Sequence, residues 1–432
     1  MNTARQELTM PVPMLAVVPS DPARDAPQDI SRLKASLRRA ERLGQLRAWL
    51  LILPLLAFLA FTFIVPIANL LLKSVRDTVV HDEMPGLSQA LQAWEPAVLA
   101  RPPEAVYAAF AADLRARQGS DGISKVAMRL NFEEPGLRSL VLRTARGLER
   151  TEGATWRERF VALDARWDQP LTWVRIKYAA TPWTLEYYVK AFDLTRDAHG
   201  AVVALPETEQ LYRGVFVRTV GLSLLVAALC VLIGYPVAWF LAALPTRISN
   251  VLMILVLLPF WTSFLVRSIS WMVILQSNGI LNSLLNTLGL GSVALIYQRG
   301  GVLIAMAHIL MPYAILSIYS VMKNVPPIYM RAARSLGAGP VRAFFSAYFP
   351  HTLPGVAAGG LLTFILAVGY YITPAMLGGA EDQLVSYYIA NHVNSTLNWG
   401  LAAALATLLL GGVMLIYALF VRLTGGSGVK LG

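Results

Sequence analysis

One cysteine stands in 432 residues, Cys230, alone in an apolar run. It excludes an intrachain disulfide and a cysteine metal cluster. No Gly-x-x-x-x-Gly-Lys-Ser/Thr segment occurs, so the chain lacks a phosphate-cradling loop and is not itself an ATPase. Charged residues are scarce, 15% against roughly 25% in soluble domains. Where apolar residues cluster, Asp and Glu are missing altogether. That absence argues against a transporter driven by protons or sodium, which needs ionisable groups within the membrane. Only Arg267 and His308 lie in such runs.

What is present is apolar and clustered: hydrophobic residues make up 56% of the chain. Six runs are long enough to cross a bilayer, which takes about 20 residues each. They cover about 49–72, 219–243, 249–275, 301–322, 355–377 and 399–421. Trp271 and Trp399 stand near run ends, where indoles favour the lipid interface. Arg267 lies in the outer half of its run and is expected to reach the interface with its guanidinium. His308 reads as a hydrogen-bonded packing residue. The chain is therefore read as an all-α polytopic membrane protein.

The net charge of +11 is uneven. Residues 76–213 hold 18 basic and 19 acidic side chains, so the excess lies elsewhere. It concentrates in the N-terminal tail (Arg32, Lys34, Arg38, Arg39, Arg42, Arg47), around Arg331, Arg334 and Arg342, and at Arg422 and Lys430. Between 277 and 300 and between 378 and 398, Arg299 is the only Lys or Arg. Positive loops stay inside, so both termini and the 324–354 loop are expected in the cytoplasm and 74–213 outside. The basic balance reports topology, and no nucleic-acid partner is expected. The first apolar run begins too late and runs too long for a cleaved signal peptide. Residues 1–28, rich in Pro, Ala and Asp, are expected to be disordered. From Ser31, Leu33, Leu37, Ala40 and Leu43 line one side of an arginine-rich helix suited to an anionic lipid surface.

The 324–354 loop carries the sharpest pattern. Pro326 and Pro327 open a short helix, Ile328, Ala332 and Leu336 repeat at helical spacing, and Gly337 suits a left-handed stop. Pro340 opens a second helix with Val341, Phe344, Phe345 and Tyr348 on one stripe, and Pro350 is expected to end it. This helix–glycine–helix elbow resembles the EAA loop of inner-membrane permease subunits of bacterial ABC importers. Arg331 stands where that family has Glu, Ala332 and Ala333 match, Gly337 falls on the glycine, and Phe349-Pro350 replaces Leu-Pro. Leu258-Pro-Phe-Trp261-Thr-Ser, Gly279-Ile-Leu-Asn282, Leu310-Met-Pro312-Tyr and Tyr371-Ile-Thr-Pro374-Ala-Met-Leu-Gly378-Gly379 resemble the spermidine/putrescine branch, in the right order over half the chain.

The resemblance implies six transmembrane helices with a type I ABC importer permease core, one half of a dimeric channel. The layout is then a cytoplasmic tail 1–48, a first span 49–73, an insertion 74–213, a five-helix core 214–424 with the coupling loop 324–354, and a tail 425–432. It implies partners: cytoplasmic ATP-binding subunits docking on Arg331, Ala332, Ala333, Leu336, Gly337 and Pro350, a second permease subunit and a periplasmic solute-binding protein, besides membrane lipid. No catalytic residue, metal or cofactor is expected. A polyamine such as putrescine is the implied solute, with opines or phosphonates as alternatives. Trp261, Arg267, Tyr370 and Tyr371 are candidates on its path. A polycation favours aromatic and acidic groups, and the acids would come from a partner, the binding protein, or Glu381 and Asp382.

The insertion contains two amphipathic helical patterns, 105–115 and 136–146, and its tail from Trp183 to Phe192 resembles the stretch before the family's second span. It has no cysteine to staple it. Two uses are open: receiving a binding protein, or an insertion the fold tolerates. A function of another class, a membrane-anchored receptor sensing through 74–213, leaves the spacing of Gly337 and Pro350 unexplained.

Overall fold

A computed structural model describes residues 44–45, 48–98 and 101–423. The expected tail features at 1–43 and 425–432 lie outside the described residues. Six helices are long and apolar enough to cross a membrane. The first, α1 (Ala48–Lys73), has a mean hydropathy of 2.7; the described residues up to Ala68 form a unit by themselves.

Beyond it, short helices build the insertion: α2 (Val79–Glu83), α3 (Pro85–Gln92), α4 (Glu104–Ala116), α5 (Gly122–Asn131), α6 (Leu137–Gly147), α7 (Trp156–Leu163), α8 (Pro170–Ala179) and α9 (Glu186–Ala191). Their apolar faces follow helical spacing: α6 buries Leu137, Leu140, Val141 and Thr144, and α4 buries Val106, Tyr107, Phe110, Ala111 and Leu114. The faces meet around an aromatic centre, with Tyr107 4.6 Å from Trp173 and Phe160 5.2 Å from Trp167, centroid to centroid. Each buried polar tip finds a partner. Trp167 Nε1 donates to Thr144 at 2.8 Å, Trp173 Nε1 to the Trp167 carbonyl at 2.8 Å, and Tyr107 to the same carbonyl at 3.1 Å. With its indoles satisfied, this cluster forms a core without disulfides.

A two-stranded antiparallel hairpin, β1 (Leu194–Arg196) and β2 (Val202–Ala204), leads to the membrane core. At its entry the Asp193 carboxylate accepts from the N–H groups of Leu211, Tyr212 and Arg213 at 3.0, 2.9 and 2.7 Å. It thereby caps α10 (Tyr212–Ala243), as a carboxylate does best at a helix start. The core continues with α11 (Thr246–Leu257), α12 (Phe264–Leu275), α13 (Ile280–Thr287), α14 (Arg299–Met322), α15 (Ile328–Ser335), α16 (Pro340–Gly369), α17 (Ile372–Leu377), α18 (Val385–Asn394) and α19 (Trp399–Leu423). Helices α10, α14 and α16 pack together, with Gly355 of α16 letting its backbone approach Ile318 and Val321 of α14, the small-residue contact usual between membrane helices. The insertion joins this core where Tyr187 of α9 lies against Gly400 of α19, so close that a methyl there would fall within the ring.

Two expected spans are corrected. The run 249–275 is broken at Leu258–Trp261, a 3-10 turn, and Thr262 is extended. Ser263 then caps α12, its Oγ accepting from Leu265 N–H at 3.3 Å. The third candidate span is Phe264–Thr287, itself interrupted between α12 and α13. The run 355–377 is likewise displaced: α16 begins at Pro340 and stops at Gly369, with Tyr370 and Tyr371 breaking it before α17. Pro350 does not end a helix. It follows a π-turn, Phe344–Tyr348, whose wider winding carries the helix past the missing N–H.

Candidate functional site: a coupling elbow and an intramembrane cation

The elbow forms as the local residues dictate. Helix α15 closes with paired bonds, Gly337 N–H to the Arg334 carbonyl at 3.0 Å and Ala338 N–H to the Ala333 carbonyl at 3.1 Å. That pattern puts Gly337 at φ +87°, with nothing within 4 Å of where a Cβ would stand. Glycine is needed here for conformation alone. Gly339 then precedes Pro340 at the first position of α16. The two arms are pinned by Tyr329 stacked on His351, centroids 4.4 Å apart.

The outer side of the elbow is open. Leu336 is 89% exposed, and Arg331, Ala332 and Pro350 are exposed, with Ala333 half-buried. Arg331 makes no ion pair among the described residues. Behind the elbow, Tyr235, Pro236 and Trp239 of α10 and Met330, Pro340, Phe344, Phe345 and Phe349 line an apolar cavity of about 650 Å³. Arg331, Ala332, Ala333, Leu336 and Gly337 thus lie together on α15 and its turn, whereas Pro350 stands within α16.

The candidate path residues divide. Arg267 of α12 is only 8% exposed, its guanidinium covered by protein. It lies over the Phe264 ring, 4.6 Å from the centroid, and that ring meets Tyr370 at 5.8 Å. Arg267 Nε and Nη1 are buried without hydrogen-bond partners among the described residues, and the Tyr370 hydroxyl is buried beside them. Thr373, beside Tyr370, shares a 2.8 Å bond with Ser268. Trp261, 91% exposed, and Tyr371 make no ring contact with this group among the described residues. His308 accepts from Trp271 Nε1 at its Nδ1, 3.2 Å away. Indole N–H only donates, so the bond requires neutral imidazole with its proton on Nε2.

Of the two acids expected to serve a polycation, one is engaged within the chain and the other is exposed. Asp382 is buried and paired with Arg299 at 3.1 Å, and Glu381 offers its carbonyl to Arg218. Asn282 closes its loop by donating to the carbonyls of Gln276 and Val293 and accepting from Val293 N–H at 2.8 Å.

Sequence reading missed a network between α5 and α9. Arg129 pairs with Asp77 and with Glu133, the latter at 2.5 Å; Lys190 meets Glu133 at 2.8 Å; Tyr187 donates to Asp77 at 2.5 Å. Burial pushes the Glu133 carboxyl up, but Arg129 and Lys190 hold it down at about 2. Burial also drags the Lys190 ammonium below its ordinary range, more than Glu133 lifts it. Its members are up to 113 residues apart, Asp77 to Lys190, and no local spacing signals them.

Residues 234–424 match the model of the binding-protein-dependent transport system inner membrane component family. The spermidine/putrescine transport system permease protein PotB of Salmonella typhimurium (strain SL1344) is 32% identical over 214 residues, 48% of this chain and 75% of that protein. The namesake from Haemophilus influenzae is 31% identical over 245 residues, covering 56% and 80%. The inner membrane ABC transporter permease protein YdcU of Escherichia coli is 26% identical over 268 residues, covering 58% and 84%. Among solved structures, a chain of a bacterial alginate ABC transporter, in complex with an alginate pentasaccharide-bound periplasmic protein, is similar with a TM-score of 0.42 at 16% identity, covering 50% and 79%. This chain belongs to the family of binding-protein-dependent transport system inner membrane components, a multi-pass permease subunit of an ABC importer.

Proposed function

We propose that this permease subunit imports a polyamine such as putrescine or spermidine. The observation that carries the solute class is its 31–32% identity with the spermidine/putrescine permeases over 214 to 245 residues. In this reading the chain forms half of a translocation path with a second permease subunit. Cytoplasmic ATP-binding subunits dock on the elbow through Arg331, Ala332, Ala333, Leu336 and Gly337, and a solute-binding protein delivers the ligand. Supporting the docking surface is its exposure, since a soluble face with Leu336 almost wholly bare is covered by something in a working complex. The charge balance supports cytoplasmic termini, a cytoplasmic elbow and an insertion on the outer side. Uptake of labelled putrescine by cells lacking their own polyamine importers tests the solute. Expression of the whole importer restores uptake under this reading; equal uptake with and without it removes the polyamine class.

A further inference from the structure

We propose that Arg267, with Tyr370, forms a carboxylate-binding site in the membrane core, completed by one carboxylate from outside this chain. The inference rests on the permease reading and deepens it. A guanidinium taken out of water needs an opposite charge and acceptors for its N–H groups, and one ring face supplies neither in full. Arg267 has the Phe264 face, and its buried Nε and Nη1 have no hydrogen bond among the described residues. The Tyr370 hydroxyl, across the same ring, is buried as well, with the Thr373 side chain in its reach.

The chemistry of the ligand follows from what surrounds the pair. A carboxylate brings a single negative charge, accepts from guanidinium and phenol together, and fits a planar fork. A phosphate dianion asks for a second cation. His308 does not supply it, since the bond that its Nδ1 accepts from the Trp271 indole requires the neutral ring. The carboxylate does not come from this chain's spans, which contain no Asp or Glu, and Asp382 is already paired with Arg299.

Two sources share this chemistry. One is an acidic side chain of the second permease subunit. It would also neutralise Arg267, which otherwise repels a polycation. The other is the solute, if what passes is a diamine bearing a carboxylate. Ornithine, which is putrescine with a carboxyl group on one terminal carbon, separates them.

The test uses the assembled importer in proteoliposomes, with Arg267→Gln, Arg267→Lys and Tyr370→Phe. A carboxylate from the partner predicts that Arg267→Gln lowers the melting temperature of the complex and the recovery of the second permease subunit, that Arg267→Lys restores both in part, and that any loss of transport is the same for both solutes. A carboxylate from the solute predicts normal assembly and at least a tenfold loss of ornithine uptake in Arg267→Gln, with putrescine uptake unchanged or raised. Should Arg267→Gln fail to reach the membrane, Arg267→Met, which leaves no hydrogen-bonding group, takes its place. Wild-type assembly, melting and uptake of both solutes in Arg267→Gln overturn the site. If the wild-type importer carries neither solute, the polyamine reading falls alone, because assembly and melting still report on the site.

Discussion

The insertion and the membrane core treat charge in opposite ways. Among the described residues, every ion pair but Arg299–Asp382 lies between 77 and 196. The insertion sets Arg129, Asp77, Glu133 and Lys190 against one another, so that each charge has an opposite one. The core holds few charges and leaves Arg267 buried without an opposite one, with Arg331 exposed on its elbow. A region whose buried charges are paired internally is complete as a fold. A region that leaves one unpaired is built to meet other chains or a ligand.

Breaking the closed side of this contrast has the largest expected effect. Arg129→Met leaves the buried Asp77 without an opposite charge and Glu133 with Lys190 alone. Removing one partner of a buried pair costs about 3–5 kcal/mol, so thermal unfolding of the insertion should shift down by many degrees, and an unchanged transition would show that the network is not holding it. Acid probes the same group. Glu133 ionises at about 2 in the fold against an ordinary 4.5, so the unfolded chain binds more protons between those values. Its contribution is fully present above about 4.5 and is lost as pH falls toward 2. Unfolding followed across that window should show stability declining, and less so in Glu133→Gln.

On the open side the effects are smaller on stability and larger on coupling. Gly337→Val forces a branched side chain into a left-handed conformation, costing about 1–2 kcal/mol locally. The protein should still reach the membrane while solute-stimulated ATP hydrolysis of the complex falls severalfold; wild-type coupling would remove the elbow from the transmission. Arg331→Glu should change stability least, since an exposed charge is worth at most about 1 kcal/mol. It should nevertheless weaken assembly with the cognate ATP-binding subunit, and an acid-to-base change in that subunit's groove should restore it.

The elbow was legible because its signals are local: Gly337 has no alternative at φ +87°, and Pro340 needs a helix start. The six apolar runs were legible in number, while two were misplaced. Hydropathy averages over a break, and proline alone does not mark one: Pro259 lies at a break, whereas Pro236, Pro312 and Pro354 lie inside continuous helices. What differs is the neighbouring Thr262 and Ser263, which supply an extended link and a cap. The burial of Arg267 was not legible. Its depth is set by α12 packing beside α17 and α14, not by its position along the run. The charged network of the insertion escaped for the same reason, its partners being joined only by the fold.

Leu336→Cys gives the most direct test of the account, because Cys230 is buried and Leu336 is 89% exposed. In the assembled importer a thiol-specific photo-crosslinker on this position should join the permease to an ATP-binding subunit in high yield. The adduct should be lost when those subunits are stripped off. Labelling of Leu336→Cys in the active complex as free as in the isolated permease, with no adduct to an ATP-binding subunit, would contradict the elbow as the docking surface.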